Sequence, residues 1–135
     1  MVSPEINFWA IAVAVVISMV LGALWYSNLM FAKAWMKAIG KTEADLKAGA
    51  TTSYIVAIIS AAVTAYVLAH FIFYVGAISI GNGLQAGFWG WLGFFATTQA
   101  MHNAFEGRGW NLFFIQAGYH LVQLLIIGAM LAVWQ

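Results

Sequence analysis

The sequence predicts an all-α integral membrane protein: a four-helix bundle with a short amphipathic cytoplasmic helix between spans one and two. Three observations predict it. Hydrophobic residues make up 64% of the chain and charged residues 7%, against roughly 25% charged in soluble domains, so a water-soluble fold would lack polar surface to cover itself. Four apolar runs approach or exceed the ~20 residues that cross ~30 Å of hydrocarbon. Finally, all the cations fall in the loops on one side of the topology these runs define.

The spans are read at about residues 6–30, 54–74, 84–105 and 110–134, and the 135 residues form a single membrane domain. Aromatic residues mark their ends: Trp9 against Trp25 and Tyr26, Tyr54 against Tyr74, and Trp110 against Trp134. At 1.5 Å per residue these pairs lie roughly 24 to 36 Å apart, the spacing of two membrane interfaces.

The amino end, MVSPEIN, carries no Lys or Arg. The run that follows is far longer than the ~7 to 15 apolar residues of a secretory signal, so it reads as a retained helix. Ser3 is the expected cap, with Pro4 at the first helical position and Glu5 against the helix dipole.

Lys33, Lys37, Lys41 and Lys47 follow span one and Arg108 follows span three, whereas VGAISIGNG after span two has no charge. The positive-inside rule makes the lysine side cytoplasmic and leaves both termini outside. In LMFAKAWMKAIG, Phe31, Trp35 and Ile39 share one helical face with Lys33 and Lys37 opposite, and Gly40 is placed to end the helix. Lys33, Trp35 and Lys37 are therefore the expected membrane-interface residues, resting in the headgroup boundary. Thr42 and Asp45 have capping-box spacing for a second short helix that Gly49 closes. Asn28 interrupts the apolar register and marks the expected bend.

GALWYSNLMFAKAWMKAIG, with AFEGR and AGYH further on, resembles a family of small bacterial four-helix membrane proteins of unknown function, the domain of unknown function 1761 family. The resemblance covers the whole chain and is clearest over residues 22–40 and 104–120. It implies a four-helix membrane protein of the bacterial cytoplasmic (inner) membrane and brings no reaction, ligand or cofactor. The family pattern commonly has Pro where this chain has Asn28, a departure that bears on how sharp the bend is.

In lipid, helices associate through close packing and interhelical hydrogen bonds, so small and polar residues mark interior faces. Span two offers Ala57, Ala61, Ala65 and Ala69 in a row, flanked by Ser53, Ser60 and Thr64. That row is the expected contact surface, within the chain or with a second copy. In span four Gln116, His120 and Gln123 fall within about 60° on the helical wheel and must look inward. Span three offers Thr98 and His102 one turn apart, with Gln99 and Asn103 beside them. Counting outward from the GRG turn sets His102 near Gln116 and Thr98 near His120, so a polar seam joins spans three and four.

The cytoplasmic end of that seam, AMHNAFEGRGW, holds Glu106, whose carboxylate opposes the helix dipole and needs compensation from Arg108, His102, Lys33 or Lys37. As a clamp, Glu106 and Arg108 fix the turn while the amides and His102 bond across helices. As a pocket, the same groups face a headgroup, a small metabolite or a proton. His102 and Glu106 have the spacing of two metal ligands on one helix face, but His120 lies about a turn too deep to be a third, so no metal is expected. A proton path through His70, His120 and His102 requires all three in one seam.

The chain has no cysteine, no nucleophile motif, no phosphate loop and no acidic pair at metal spacing, so no catalytic residue and no cofactor is assigned. Its scattered cations make no groove for nucleic acid. The expected partners are the lipid bilayer, further copies of the chain in a homo-oligomer, and a lipid or small-molecule ligand. The reading is a non-catalytic binding or structural component. Small-solute or proton transport by several copies is the alternative, with a lipid-acting enzyme behind it.

Overall fold

The computed structural model describes residues 2–135. It is all-α, with no strand among the described residues. The order is α1 (Phe8–Trp25), α2 (Ala32–Ile39), α3 (Glu43–Ala48), α4 (Ala50–Tyr74), α5 (Ile80–Gly90), a π-helical segment (Trp91–Ala96), α6 (Thr97–Phe105) and α7 (Trp110–Val133). Three of these, α1, α4 and α7, are each long and apolar enough to cross a membrane. Residues 80–105 form one helical run in which the π segment separates α5 from α6.

The boundaries follow local chemistry. Asn7, not Ser3, caps α1: its side-chain oxygen accepts from the amides of Trp9 at 3.1 Å and Ala10 at 3.2 Å, and Pro4 and Glu5 lie ahead of the helix. The bend lies around Asn28, as expected. α1 stops at Trp25 and the chain folds back through residues 26–31, with Phe31 N–H bonding to Trp25 C=O at 3.0 Å. Ser27 helps end the helix, its hydroxyl donating to Leu24 C=O at 2.6 Å and accepting from Leu29 N–H at 3.3 Å. Gly40 closes α2 in the left-handed region at φ 68°, and Thr42 with Asp45 forms the box that opens α3. Thr42 N–H and Oγ1–H both donate to Asp45 Oδ2 at 3.0 Å, which holds the Asp45 carboxyl below its ordinary pKa.

α7 is the central helix, packing against α1, α2, α4, α5, the π segment and α6. Its closest partner is α5, and glycine makes that approach possible. A Cβ on Gly128 would sit 2.6 Å from Gly83 O, and one on Gly83 would sit 2.8 Å from the Ala129 Cα. A Cβ on Gly87 would run into the Leu124 carbonyl. Two backbones in van der Waals contact gain dispersion over their whole length, which is how helices hold together where there is no water to exclude.

The core gathers toward the end of the bundle that holds the termini, with Ala10, Ala14, Ala65, Ile72 and Ile127 almost or wholly shielded. Packing loosens toward the lysine-bearing end. Residues 51–60 of α4 are all exposed within the chain. Of the alanine row, Ala61 and Ala65 are buried inside the chain, Ala69 packs at the core's edge, and Ala57 is left uncovered.

Candidate functional site: a polar seam on α7 and a cleft beside it

The seam is built mainly on α7. Gln99 Nε2 donates to Gln116 Oε1 at 2.8 Å, tying α6 to α7. Deeper, Ser18 donates to Ala14 C=O at 2.8 Å, Gln123 Nε2 donates to Ser18 Oγ at 2.9 Å, and His120 Nδ1 lies 2.8 Å from Gln123 Oε1. The roles in this chain are forced. Ser18 spends its proton on Ala14, so it must accept from the Gln123 amide nitrogen. That turns the Gln123 oxygen toward His120, whose Nδ1 must then carry the proton. The His120 ring is held against Phe95, with centroids 4.2 Å apart, and against Tyr119 at 4.8 Å.

Three further donors land on backbone carbonyls. Trp25 Nε1 donates to Ile115 O and Trp91 Nε1 to Ala117 O, both at 2.8 Å, and Tyr119 OH donates to Ser18 O at 2.9 Å. Trp25, expected at the membrane interface, instead turns its indole inward onto α7. Trp9 and Trp110 remain exposed.

Which face of α6 meets α7 differs from the expectation. Gln99 bonds across and Asn103 is fully buried, while Thr98 and His102 are exposed, Thr98 bonding only to Phe94 C=O of its own helix. The π segment is the reason. Thr97 N–H reaches back five residues to Leu92 O, so one extra residue enters that turn. In an unbroken helix at about 100° per residue, Asn103 would lie about 200° around from Gly83, with Thr98 and His102 nearer the Gly83 face. The inserted residue rotates α6 by one position and brings Gln99 and Asn103 onto α7 instead.

The register differs too. Gln99, not His102, stands opposite Gln116, and Phe95, not Thr98, stands against His120. α6 ends at Phe105 and α7 begins at Trp110, so the turn is centred between Gly107 and Arg108 rather than on Gly109. Gly107, at φ 66°, supplies the left-handed residue, and Arg108 N–H closes onto Asn103 C=O at 3.0 Å. Asn103 Nδ2 adds bonds to Arg108 O at 2.9 Å and Gly109 O at 3.4 Å, while its Oδ1 is buried without a partner.

Glu106 pairs with Arg108, Oε2 to Nε at 2.8 Å, with both side chains about half exposed (49% and 50%). His102, also exposed, takes no part in that ion pair, nor do Lys33 and Lys37. Among the described residues no three His, Asp or Glu side chains gather as a metal site would require. The three histidines do not share a chain either: His70 Nδ1 bonds to Tyr66 O of its own helix at 2.8 Å, His102 is exposed, and His120 is packed on Phe95.

Beside the seam lies a feature that sequence reasoning missed. A cleft of about 480 Å³ opens between the second half of α1 and the first turns of α4, with Trp35 of α2, Leu46 of α3 and Tyr119 of α7 completing its wall. Gly22 and Ala23 on one side, and Ala50, Ser53 and Ala57 on the other, are too small to fill it. Tyr26 lines it too, its ring 4.7 Å from that of Trp35 and 5.8 Å from that of Tyr119. The only sequence signal was the alignment of small residues on two helices, which reads equally as a tight contact. Ser18 and Tyr119 belong to both features, so the hydrogen-bonded chain from His120 ends at the cleft wall.

An apolar, glycine-packed helical chain with polar groups bonded between its helices and a lateral cleft defines the class: an all-α protein whose long helices suit a membrane. The profile of the family described as protein of unknown function (DUF1761) matches residues 9–132, and the chain belongs to that family. No curated protein and no solved structure matches it.

Proposed function

We propose that the chain is a four-span protein of the bacterial inner membrane that binds an amphipathic membrane molecule, without catalysis, in the cleft between α1 and α4. The observation that carries this reading is the cleft itself. Its roughly 480 Å³ fall within the about 300–1,000 Å³ usual for small-molecule sites. It adjoins the lysine-bearing segment, which the positive-inside rule assigns to the cytoplasm, with both termini outside. Residues 80–105, about 39 Å of helix at 1.5 Å per residue, serve as the remaining span.

The polar seam is then a structural element. Its members are bonded to each other, and an amide such as Gln123 in the middle of a chain donates from one atom and accepts on another without passing a proton along. That favours binding over proton conduction. Glu106 and Arg108 clamp the turn.

The test is retention of lipid by the purified protein. Wild type extracted in mild detergent should carry bound amphiphile detectable by native mass spectrometry. Ala57→Trp, which fills the cleft from an uncovered position, should lose it while keeping its helicity and melting temperature. Equal retention by the filled variant would remove the cleft as the site. Orientation is tested separately by single cysteines at Ser79 and Lys41: an impermeant thiol reagent should label only the first in cells with a permeabilised outer envelope.

A further inference from the structure

We infer that the cleft selects the ester carbonyls of a diacyl glycerolipid, with Tyr26, Trp35 and Ser53 as the donors; this deepens the reading of the cleft as an amphiphile site and rests on it. The argument begins with donors. Trp25, Trp91, Tyr119 and Ser18 each spend their N–H or O–H on a carbonyl of the chain. The Tyr26 hydroxyl, the Trp35 indole N–H and the Ser53 hydroxyl bond to nothing among the described residues, and all three line the same cleft. Donors left open in one apolar recess suit an acceptor that comes from outside the chain.

Position and charge narrow the class. Tyr26 follows the last residue of α1, and Ser53 lies in the first turn of α4, so these donors sit at the level of the helix ends. In a bilayer that is the interfacial layer, where Trp and Tyr concentrate and where the glycerol esters of lipids lie. Met19 and Ala57 continue the cleft inward. Met19 is seven residues before Tyr26, about 10 Å deeper along the helix, and an acyl chain suits that depth. No Lys, Arg, His, Asp or Glu lines the cleft. Neutral O–H and N–H groups recognise neutral acceptor oxygens, while a phosphate would call for cations within the site. The ester carbonyl is the neutral acceptor that every diacyl lipid presents at this depth.

The experiment sets two lipids against each other that differ in those carbonyls alone. The full-length protein is placed in nanodiscs holding equal amounts of a diacyl phosphatidylcholine and the dialkyl ether phosphatidylcholine of the same chain length. Lipid retained after transfer to detergent is then counted by mass spectrometry. Wild type should favour the ester form by about fivefold for each carbonyl bond made, the equilibrium equivalent of one neutral hydrogen bond. Tyr26→Phe and Trp35→Phe keep aromatic rings in the tilted pair and remove the donors, so each should bring the ratio toward one by loss of the ester lipid while retention of the ether lipid stays unchanged. Equal retention of both lipids by wild type would overturn the ester assignment and leave the cleft as a lipid site. Retention of neither would overturn the cleft reading, and this inference with it.

Discussion

Gln123 of α7 donates to the Ser18 hydroxyl of α1 at 2.9 Å while its own oxygen faces His120 Nδ1 at 2.8 Å. One amide therefore satisfies two partners, and neither neighbour can be changed alone without leaving a polar atom in an apolar interior. Gln123→Leu should cost about 1–3 kcal/mol, because Ser18 and His120 both lose their partner. Ser18→Ala should cost less, on the scale of about 1 kcal/mol for one interhelical bond in a membrane protein. Unfolding of the two variants and their double mutant in detergent checks this. Strict additivity would mean the two side chains do not interact.

Gly83, Gly87 and Gly128 should be the least tolerant glycines. Gly83→Val or Gly87→Val forces backbone apart along the closest helix pair, at a cost of about 1–3 kcal/mol or more. Gly90 has open space where a Cβ would go, so Gly90→Ala should leave the melting temperature unchanged or slightly raised. Comparable losses at all four positions would contradict the packing described.

The π segment makes a prediction about α6. The chain has no cysteine of its own, so Gln99→Cys with Gln116→Cys should form a disulfide on mild oxidation, and His102→Cys with Gln116→Cys should not. Deleting Gly93 removes the extra residue of the wide turn, so the flanking helices should join in the same register and the Gln99 pair should still crosslink in preference to the His102 pair. Crosslinking of the His102 pair in the undeleted chain would remove the π segment from the argument.

Glu106→Gln breaks an ion pair with both partners half exposed. Its effect on stability should be ~0 to 1 kcal/mol and should shrink further with added salt. Lipid retention should be unchanged. Loss of bound lipid in this variant would return the turn to the binding site.

Asp45 provides a pH-dependent local effect. Its carboxyl is held below the ordinary value by its bonds to Thr42, so its ionised form stabilises the start of α3. That contribution is fully present above the ordinary carboxylate pKa and is lost as the pH falls through the lowered one. Protection of the Asp45 and Leu46 amides, taken relative to their intrinsic exchange at each pH, should fall as the pH drops through that acidic window, and Asp45→Asn should abolish this change.

How far the sequence reaches differs from one feature to the next. Apolar length placed α1, α4 and α7 to within a few residues at most ends, because a span is a local property: enough consecutive side chains that prefer hydrocarbon. Caps such as Thr42 with Asp45 and stops such as Gly40 were legible for the same reason, since they satisfy backbone groups within a turn or so. Gly83 and Gly87 are legible in the same way, being small residues four apart on one helix face, although the alanine row in span two carries the same mark.

The faces and the voids belong to the tertiary structure. Periodicity at 3.6 residues per turn put Thr98 and His102 on α7, and a single extra residue in the π turn placed Gln99 and Asn103 there instead. Such a turn leaves no mark in composition, and its cost is met by bonds that exist only once α7 is alongside, among them Trp91 to Ala117 and Gln99 to Gln116. The cleft is decided the same way. Small residues on α1 and α4 permit either contact or space, and the choice rests on how α7 holds the two helices: tightly through Ala14, Ala65 and Ile127 at one end, and apart across Tyr26 and Tyr119 at the other.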